Sequence, residues 1–175
     1  MSAPAAMAKT EPAAVRLRAM SVADLPAANG VIERAVMTWK LAERVKRLSL
    51  PTYRYHPHDF LHMAGVVAED AAGVLVGVAV WDTADPRDGP SGQRGLLLHG
   101  LYVDPARHRA GIGSRLLDAA TAAARAAGCD GLLVKAQADA NGFFAARGLE
   151  HLPVVDPARD YPHRYWLSLA QATAS

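Results

Sequence analysis

A pair of glycines between an apolar run and an Ala-rich amphipathic stretch constrains this chain more than any other feature. Residues 96–103, Leu-Leu-Leu-His-Gly-Leu-Tyr-Val, have the length and composition of a buried strand. Asp104-Pro105 closes that run. Gly111-Ile112-Gly113-Ser114 then opens a helix with Leu116, Leu117, Ala120 and Ala124 on one side and Gly128 as its stop. A second apolar strand, residues 132–134, follows directly. Strands joined through a helix pair in parallel, because the crossover carries the chain back to the end of the sheet where it began.

The turn inside this unit suits an anion. The first N–H groups of a helix lack intrahelical acceptors and lie at the positive end of its dipole. Gly111 and Gly113 let an anion approach the backbone with no Cβ in the way, Arg107 and Arg109 add positive charge, and Ser114 adds a hydroxyl. Gly-x-Gly before a helix also occurs as plain packing, so the loop alone names no ligand. A P-loop is excluded because no Lys follows the glycines, and a dinucleotide fingerprint because Leu116 stands where a third Gly or Ala belongs.

The rest of the chain is not a repeated crossover. Val15-Arg16-Leu17-Arg18 alternates as a half-buried strand does. Ser21 or Asp24 can cap a helix with Pro26 in its first turn and Leu25, Ala28, Ile32, Ala35 and Val36 at helical spacing. A second helical stretch, residues 39–48, is expected to end before Pro51, and residues 52–59 read as a loop too rich in Pro and polar aromatics to be core. Residues 65–68 and 74–81 are β-rich runs joined by a hairpin turn at 69–73. A polar solvent loop with Pro86, Gly89, Pro90 and Gly92 follows. Residues 140–147 form a short helix stopped by Gly148, residues 165–169 a last strand, and one more strand near Val154 stays open. The order predicts an α/β (α+β) chain with a mixed central sheet flanked by helices. A single domain is expected over 15–170, behind an aperiodic Ala/Pro-rich leader at 1–14 and before a frayed tail at 171–175.

Composition removes several functions. A chain of 175 residues with net charge +2 has no Lys/Arg stripe and few aromatics, so nucleic acid is not the partner. One cysteine, Cys129, allows no intrachain disulfide and no Cys-based zinc cluster, and its apolar neighbourhood predicts a buried structural thiol. No apolar stretch approaches the ~20 residues of a membrane span, and the N-terminus lacks the apolar core of a signal peptide. A cytoplasmic location without a membrane partner is expected.

Two segments carry a family resemblance. Residues 101–117, from Leu101-Tyr102-Val103-Asp104-Pro105 through Arg107-His108-Arg109-Ala110-Gly111-Ile112-Gly113-Ser114 to Leu116-Leu117, resemble motif A of the GNAT N-acetyltransferases. Residues 137–149, with Gln137, Ala140, Phe143-Phe144 and Gly148-Leu149, are similar to motif B of that family. The resemblance implies the GNAT fold, acetyl-CoA as acyl donor, no metal, and an amine as acceptor. It places the CoA pyrophosphate on the amides of Arg109, Ala110, Gly111, Ile112, Gly113 and Ser114, with His108 as a further donor. It places the pantetheine arm along the backbone of Leu101 and Val103, beside Tyr102, with Gln137 and Phe144 on the other wall. The thioester carbonyl would be polarised by a backbone N–H near Leu101.

Three positions depart from the pattern. His108 replaces Gln or Arg, and Gln137 replaces Asn. Phe144 stands where many members carry the Tyr that protonates the departing thiolate, so water or another hydroxyl (Tyr102, Tyr161 or Tyr165) has to serve. His99, an ionisable side chain in an apolar strand, reads either as a core histidine or, by likeness to serotonin-type acetyltransferases, as the base that deprotonates the amine. The acceptor side falls to Trp39, Tyr53, Tyr55, His56, His58 and residues 156–166, where no acidic cluster marks a basic peptide. A small-molecule amine is therefore the expected acceptor. The alternatives are a non-catalytic acyl-CoA-binding module, motivated by Phe144, and a protein or peptide N-acetyltransferase. The sequence leaves open whether the chain forms a homodimer.

Overall fold

The alternation at residues 15–18 and the turn signal at 69–73 build the first half of the sheet. In the computed structural model, which describes residues 14–169, β1 (Arg16–Ala19) pairs antiparallel with β2 (Ala64–Glu69), and β2 with β3 (Leu75–Thr83). β3 pairs antiparallel with β4 (Gly95–Val103), and β4 runs parallel to β5 (Gly131–Lys135). β7 (Arg164–Ser168) inserts between β5 and the two-residue β6 (Glu150–His151), giving the order β1-β2-β3-β4-β5-β7-β6. Most of the expected leader and all of the expected tail lie outside the described residues. The extra strand left open near Val154 is β6, a few residues earlier.

Helices cover both faces. α1 (Leu25–Met37) buries Leu25, Ala28, Val31, Ile32, Ala35 and Val36 against Val67, Val78, Val80 and Tyr102. α3 (Ile112–Ala126) buries Ile112, Leu116, Leu117, Ala120 and Ala124 against Val76, Leu96, Leu98, Leu132 and Val134 on the other face. α4 (Asn141–Ala145) closes the same face through Phe144. Gly128 and Gly148 follow α3 and α4 with φ of +70° and +80°, the left-handed stops their positions predict. None of the described helices is long and apolar enough to cross a membrane.

Several local expectations are corrected. α2 (Glu43–Tyr53) starts later than residue 39 and runs through Pro51 instead of ending before it. Only two residues follow Pro51, so the proline disturbs a helix that is already ending, while buried Leu50 and Lys46 hold the rest. The Lys46 ammonium donates to the Met37 carbonyl at 2.8 Å, capping the C-terminus of α1. Tyr55 is core, not loop surface: its backbone N–H and C=O are both held by the Asn29 amide at 2.9 Å, which seats the ring against Val78 and Val80. Cys129 is half-buried at the rim of the α3 core. The polar loop after β3 is only partly solvent-facing, because Gly89 lies on Trp166.

Trp166 closes one end of the sheet. A Cβ at Gly131 would overlap its indole, and Cβ atoms at Gly95 and Gly89 would come within 2.9 and 3.1 Å of it. The ring therefore lies directly on the β4 and β5 backbones where these strands begin to pair. Its Nε1–H is buried with no acceptor among the described residues. That loss, about 1–3 kcal/mol, is smaller than the ~5 kcal/mol from burying roughly 200 Å² of aromatic surface. Gly131→Ala is expected to destabilise the protein by at least about 2 kcal/mol in urea unfolding, and Gly89→Ala by less. Combining Gly131→Ala with Trp166→Leu should recover part of the loss. A Gly131→Ala protein of unchanged stability would show that the indole does not rest on this backbone.

Candidate active site

β4 and β5 pair from Gly95–Gly131 to Leu98–Val134 and then part. On its other edge β4 is bulged: Trp81 faces Leu98 and Val80 faces Gly100, leaving His99 as the extra residue. The bulge exchanges the faces of the strand. Leu96 and Leu98 pack into the α3 core, whereas beyond the bulge Leu101 and Val103 do so and Tyr102 turns to the α1 core. The Asp104 N–H donates to the Val76 carbonyl at 2.8 Å. Antiparallel ladders alternate, so the backbone groups of Val103 and Leu101 turn the other way, toward the gap that β5 has vacated. A cleft of about 950 Å³ fills that gap.

The loop after β4 forms one end of the cleft. Asp104 accepts from the Ala106 N–H and from Arg34 of α1, at 3.0 and 2.9 Å. Arg107 pairs with Asp70 at 2.8 Å, so its charge is largely spent on the β2–β3 turn. His108 places Nε2 3.2 Å from the Val103 carbonyl. Arg109 and Gly111 have φ of +64° and +77°, left-handed conformations that swing the chain into the first turn of α3. Gly113 has a packing reason of its own, apart from anion approach. A Cβ there would sit 3.2 Å from two carbons of the Phe143 ring, so the glycine makes room for an aromatic ring of this chain.

Arg147 completes that end. Its guanidinium lies 3.7 Å over the Phe143 ring, donates to the Phe143 carbonyl at 3.1 Å, and donates from Nε and Nη2 to the Ser114 hydroxyl. The start of α3 is thus clamped to α4. Two arginines, Arg109 and Arg147, together with a helix N-terminus, gather positive potential that an anion would offset.

The other end is aromatic. Trp39 and Tyr53 meet edge to face with centroids 5.1 Å apart, and the Gln137 amide donates to the Tyr53 hydroxyl at 3.3 Å. His99 lies 3.1 Å through Nδ1 from the Tyr55 hydroxyl. Burial pushes the Tyr55 and Tyr102 phenols well above their ordinary values, so both stay protonated. His99 is exposed to the cleft, yet the apolar strand around it partly desolvates the imidazole and lowers its pKa, against the opposing charges of Asp59 and Asp82. Among the described residues no cluster of His, Cys, Asp or Glu could hold a metal ion.

The cleft brings together most residues singled out in the sequence: His99, Leu101, Tyr102 and Val103 from β4; His108, Arg109, Gly111, Ile112, Gly113 and Ser114 from the loop and α3; Gln137 and Phe144 opposite. Ala110 is not among its lining residues. Tyr165 is also outside it, buried behind Phe144 (centroids 6.2 Å apart) and against His151. The Tyr161 hydroxyl is committed to the Ala136 carbonyl at 2.7 Å. Sequence reasoning missed the clamp of Arg147, which lies in the turn after α4, because the helix expected over 140–147 ends at Ala145.

The model of the Acetyltransferase (GNAT) family matches residues 33–149, more than half of the chain. The chain belongs to this family. A GNAT acetyltransferase from Brucella melitensis, in complex with acetyl-CoA, matches with a TM-score of 0.63 and 17% identity over 92% of each chain. The PaiA N-acetyltransferase of Thermoplasma acidophilum, in complex with coenzyme A, matches with a TM-score of 0.67 and 15% identity, over 89% of this chain and 99% of that one. AAC(6')-Iy, in complex with the bisubstrate analogue CoA-S-monomethyl-acetylneamine, gives 0.60 and 18% over 82% and 95%. At such identities the likeness establishes the GNAT fold. Comparison with curated proteins returns no matching sequence.

In this GNAT chain the two loop glycines are needed for different reasons, and that difference is measurable. At Gly111 an added Cβ meets nothing within 4 Å, so Gly111→Ala should cost only the left-handed strain, about 1 kcal/mol. Gly113→Ala should cost more, and Phe143→Leu in the same protein should relieve it. Equal costs for the two glycines, unaffected by Phe143→Leu, would refute the packing account.

Proposed function

We propose that this protein transfers the acetyl group of acetyl-CoA to the primary amine of a small molecule, by direct attack in a ternary complex. The observation that carries the reading is the cleft itself, open between β4 and β5, with a cationic helix start at one end and an imidazole at the other. The pyrophosphate is assigned to the first turn of α3, where the loop amides, Arg109 and Arg147 supply donors and charge. The pantetheine arm is assigned to the edge of β4 that β5 leaves at Leu101 and Val103, where its amides can pair as a strand would, with the Val103 carbonyl shared with His108. The thioester then reaches the bulge. The amine nitrogen adds to the thioester carbon, its bond to sulfur breaks, and the proton lost by nitrogen balances the one the CoA thiolate takes up. Phe144 offers no proton. A thiol pKa near ~8.5 makes the thiolate an adequate leaving group, so water in the open cleft can serve, the Tyr102 phenol being a weaker acid than usual.

The acceptor end favours a compact amine with an apolar or aromatic body. Trp39 and Tyr53 wall it, and the one carboxylate among the lining residues, Asp139, already accepts the Lys40 N–H at 3.1 Å. A polycation would find little opposite charge there. A non-catalytic acyl-CoA-binding module remains the second reading, because Phe144 replaces the usual acid.

Acetyl-CoA at 100 times its Kd should stabilise the protein by roughly 2.7 kcal/mol, seen as a rise in Tm. An unchanged Tm in saturating CoA would overturn the cofactor assignment. A screen of amines with acetyl-CoA, following free thiol, separates the two readings, since a binding module releases none with any acceptor. With an acceptor in hand, His99→Ala should lower kcat by about 10²-fold and leave CoA affinity nearly unchanged. Full activity in a well-folded His99→Ala protein would make the histidine structural.

A further inference from the structure

The Tyr55–His99 pair is built from three separate directions. The Asn29 amide holds the Tyr55 backbone through two hydrogen bonds of 2.9 Å. Gly100 leaves the space the phenol occupies: a Cβ there would lie 2.5 Å from the Tyr55 oxygen and 2.5 Å from the Tyr102 ring. The glycine next to His99 therefore admits this chain's own hydroxyl rather than a ligand. The bulge, finally, turns His99 toward the phenol, so that Nδ1 lies 3.1 Å from it.

A buried phenol has one proton to donate, and leaving it without an acceptor is costly. Among the described residues the Tyr55 hydroxyl has a single hydrogen-bond partner, His99 Nδ1. With Tyr55 protonated, the arrangement that uses the proton has the hydroxyl donating and Nδ1 accepting. A neutral imidazole whose Nδ1 accepts carries its hydrogen on Nε2. We infer that Tyr55 is a positioning residue that fixes His99 as the neutral Nε2–H tautomer, so that His99 offers the acyl end of the cleft a hydrogen-bond donor and not a base.

The consequence follows from the lone pairs. Nδ1 is covered by Tyr55 and Nε2 already bears hydrogen, so neither nitrogen can take a proton from the arriving amine. A fixed N–H can instead stabilise the negative charge that builds on the carbonyl oxygen as the amine adds. Partial desolvation acts in the same direction by favouring the neutral ring, although His99 is exposed to the cleft, while Asp59 and Asp82 oppose it and His62 and Lys135 assist it. The two carboxylates are partly engaged elsewhere, Asp82 with His62 at 3.7 Å and Asp59 with the His56 N–H at 2.7 Å.

This refinement rests on the acetyltransfer reading for its catalytic meaning, but the tautomer can be measured without an acceptor. Long-range proton–nitrogen NMR of the ¹⁵N-labelled protein, titrated with pH, should show neutral His99 mainly as Nε2–H. In Tyr55→Phe the ratio of Nε2–H to Nδ1–H should fall about fivefold, the worth of one hydrogen bond of ~1 kcal/mol, and the His99 titration should move upward. Neutral His99 found mainly as Nδ1–H, or a ratio and titration unchanged in folded Tyr55→Phe, would overturn the inference. If Tyr55→Phe does not fold, the tautomer of the unmutated protein decides.

Once an acceptor is known, acceptors of different basicity give the second readout. The acid limb of log kcat/KM should follow each amine's own pKa. An acid limb fixed at the pH where NMR sees His99 titrate, whatever the amine, would make His99 the base and sink the proposal. Failure of every amine in the screen would count against the transfer reaction and leave the tautomer result to be judged alone.

Discussion

Everything specific about this sheet depends on where β4 stops pairing with β5. The two strands are parallel and in register for four residue pairs, from Gly95–Gly131 to Leu98–Val134. The next residue, His99, is the bulge on the opposite edge of β4. A bulge bends its strand and raises the local twist, and here it begins one residue beyond the last β4–β5 pair. The other end is held shut by Trp166, which lies on the Gly95 and Gly131 backbones and could not do so over any larger residue. A sheet stapled at one end and bent at the other leaves a gap of fixed shape, and the gap is the cleft.

Electrostatics then decide what the gap can hold. Unlike Arg107, which is neutralised by Asp70, Arg147 is kept beside a helix N-terminus, where a cation is disfavoured by the dipole. It stays there because Phe143 supports its guanidinium and Ser114 accepts two of its hydrogens. The fold therefore keeps a local repulsion in exchange for a rigid clamp between the start of α3 and α4. On the proposed reading a polyanion would meet donors that are already oriented, and little ordering of side chains would have to accompany its binding.

How far the site was legible depends on what each residue's signal refers to. The crossover from β4 through α3 to β5 was readable because apolar periodicity, a glycine entry and a glycine stop agree over residues 96–134. The bulge was not. Leu97, Leu98, Gly100 and Leu101 are apolar or small on both faces, so no alternation existed whose reversal could mark the extra residue. Gly100 was a fair warning, since a glycine inside a strand signals a close approach, and the groups that approach it are the Tyr55 hydroxyl and the Tyr102 ring. Tyr55 itself was misplaced because Pro57 and the histidines around it are polar or helix-breaking, while the Asn29 contact that buries it lies 26 residues away. Gly113 shows the same limit: its glycine was legible, but its cause, the Phe143 ring, comes from another helix.

The tyrosines sort themselves by what already holds their hydroxyls. Tyr161 is bonded to the Ala136 carbonyl, and Tyr165 is packed between Phe144 and His151 away from the cleft. Tyr55 is spent on His99. Tyr53 and Tyr102 remain on the lining, and burial makes the Tyr102 phenol a weaker acid than usual. A phenol that is a weaker acid than a thiol near ~8.5 is a poor proton donor to the thiolate, because the transfer would run uphill. On the proposed reaction, Phe144 in place of tyrosine fits a site in which the leaving group would be protonated by solvent and the protein's contribution would lie in the neighbouring step: aligning the amine and stabilising the oxygen as charge moves onto it. A donor fixed by Tyr55 serves that step, and it needs no hydroxyl at position 144.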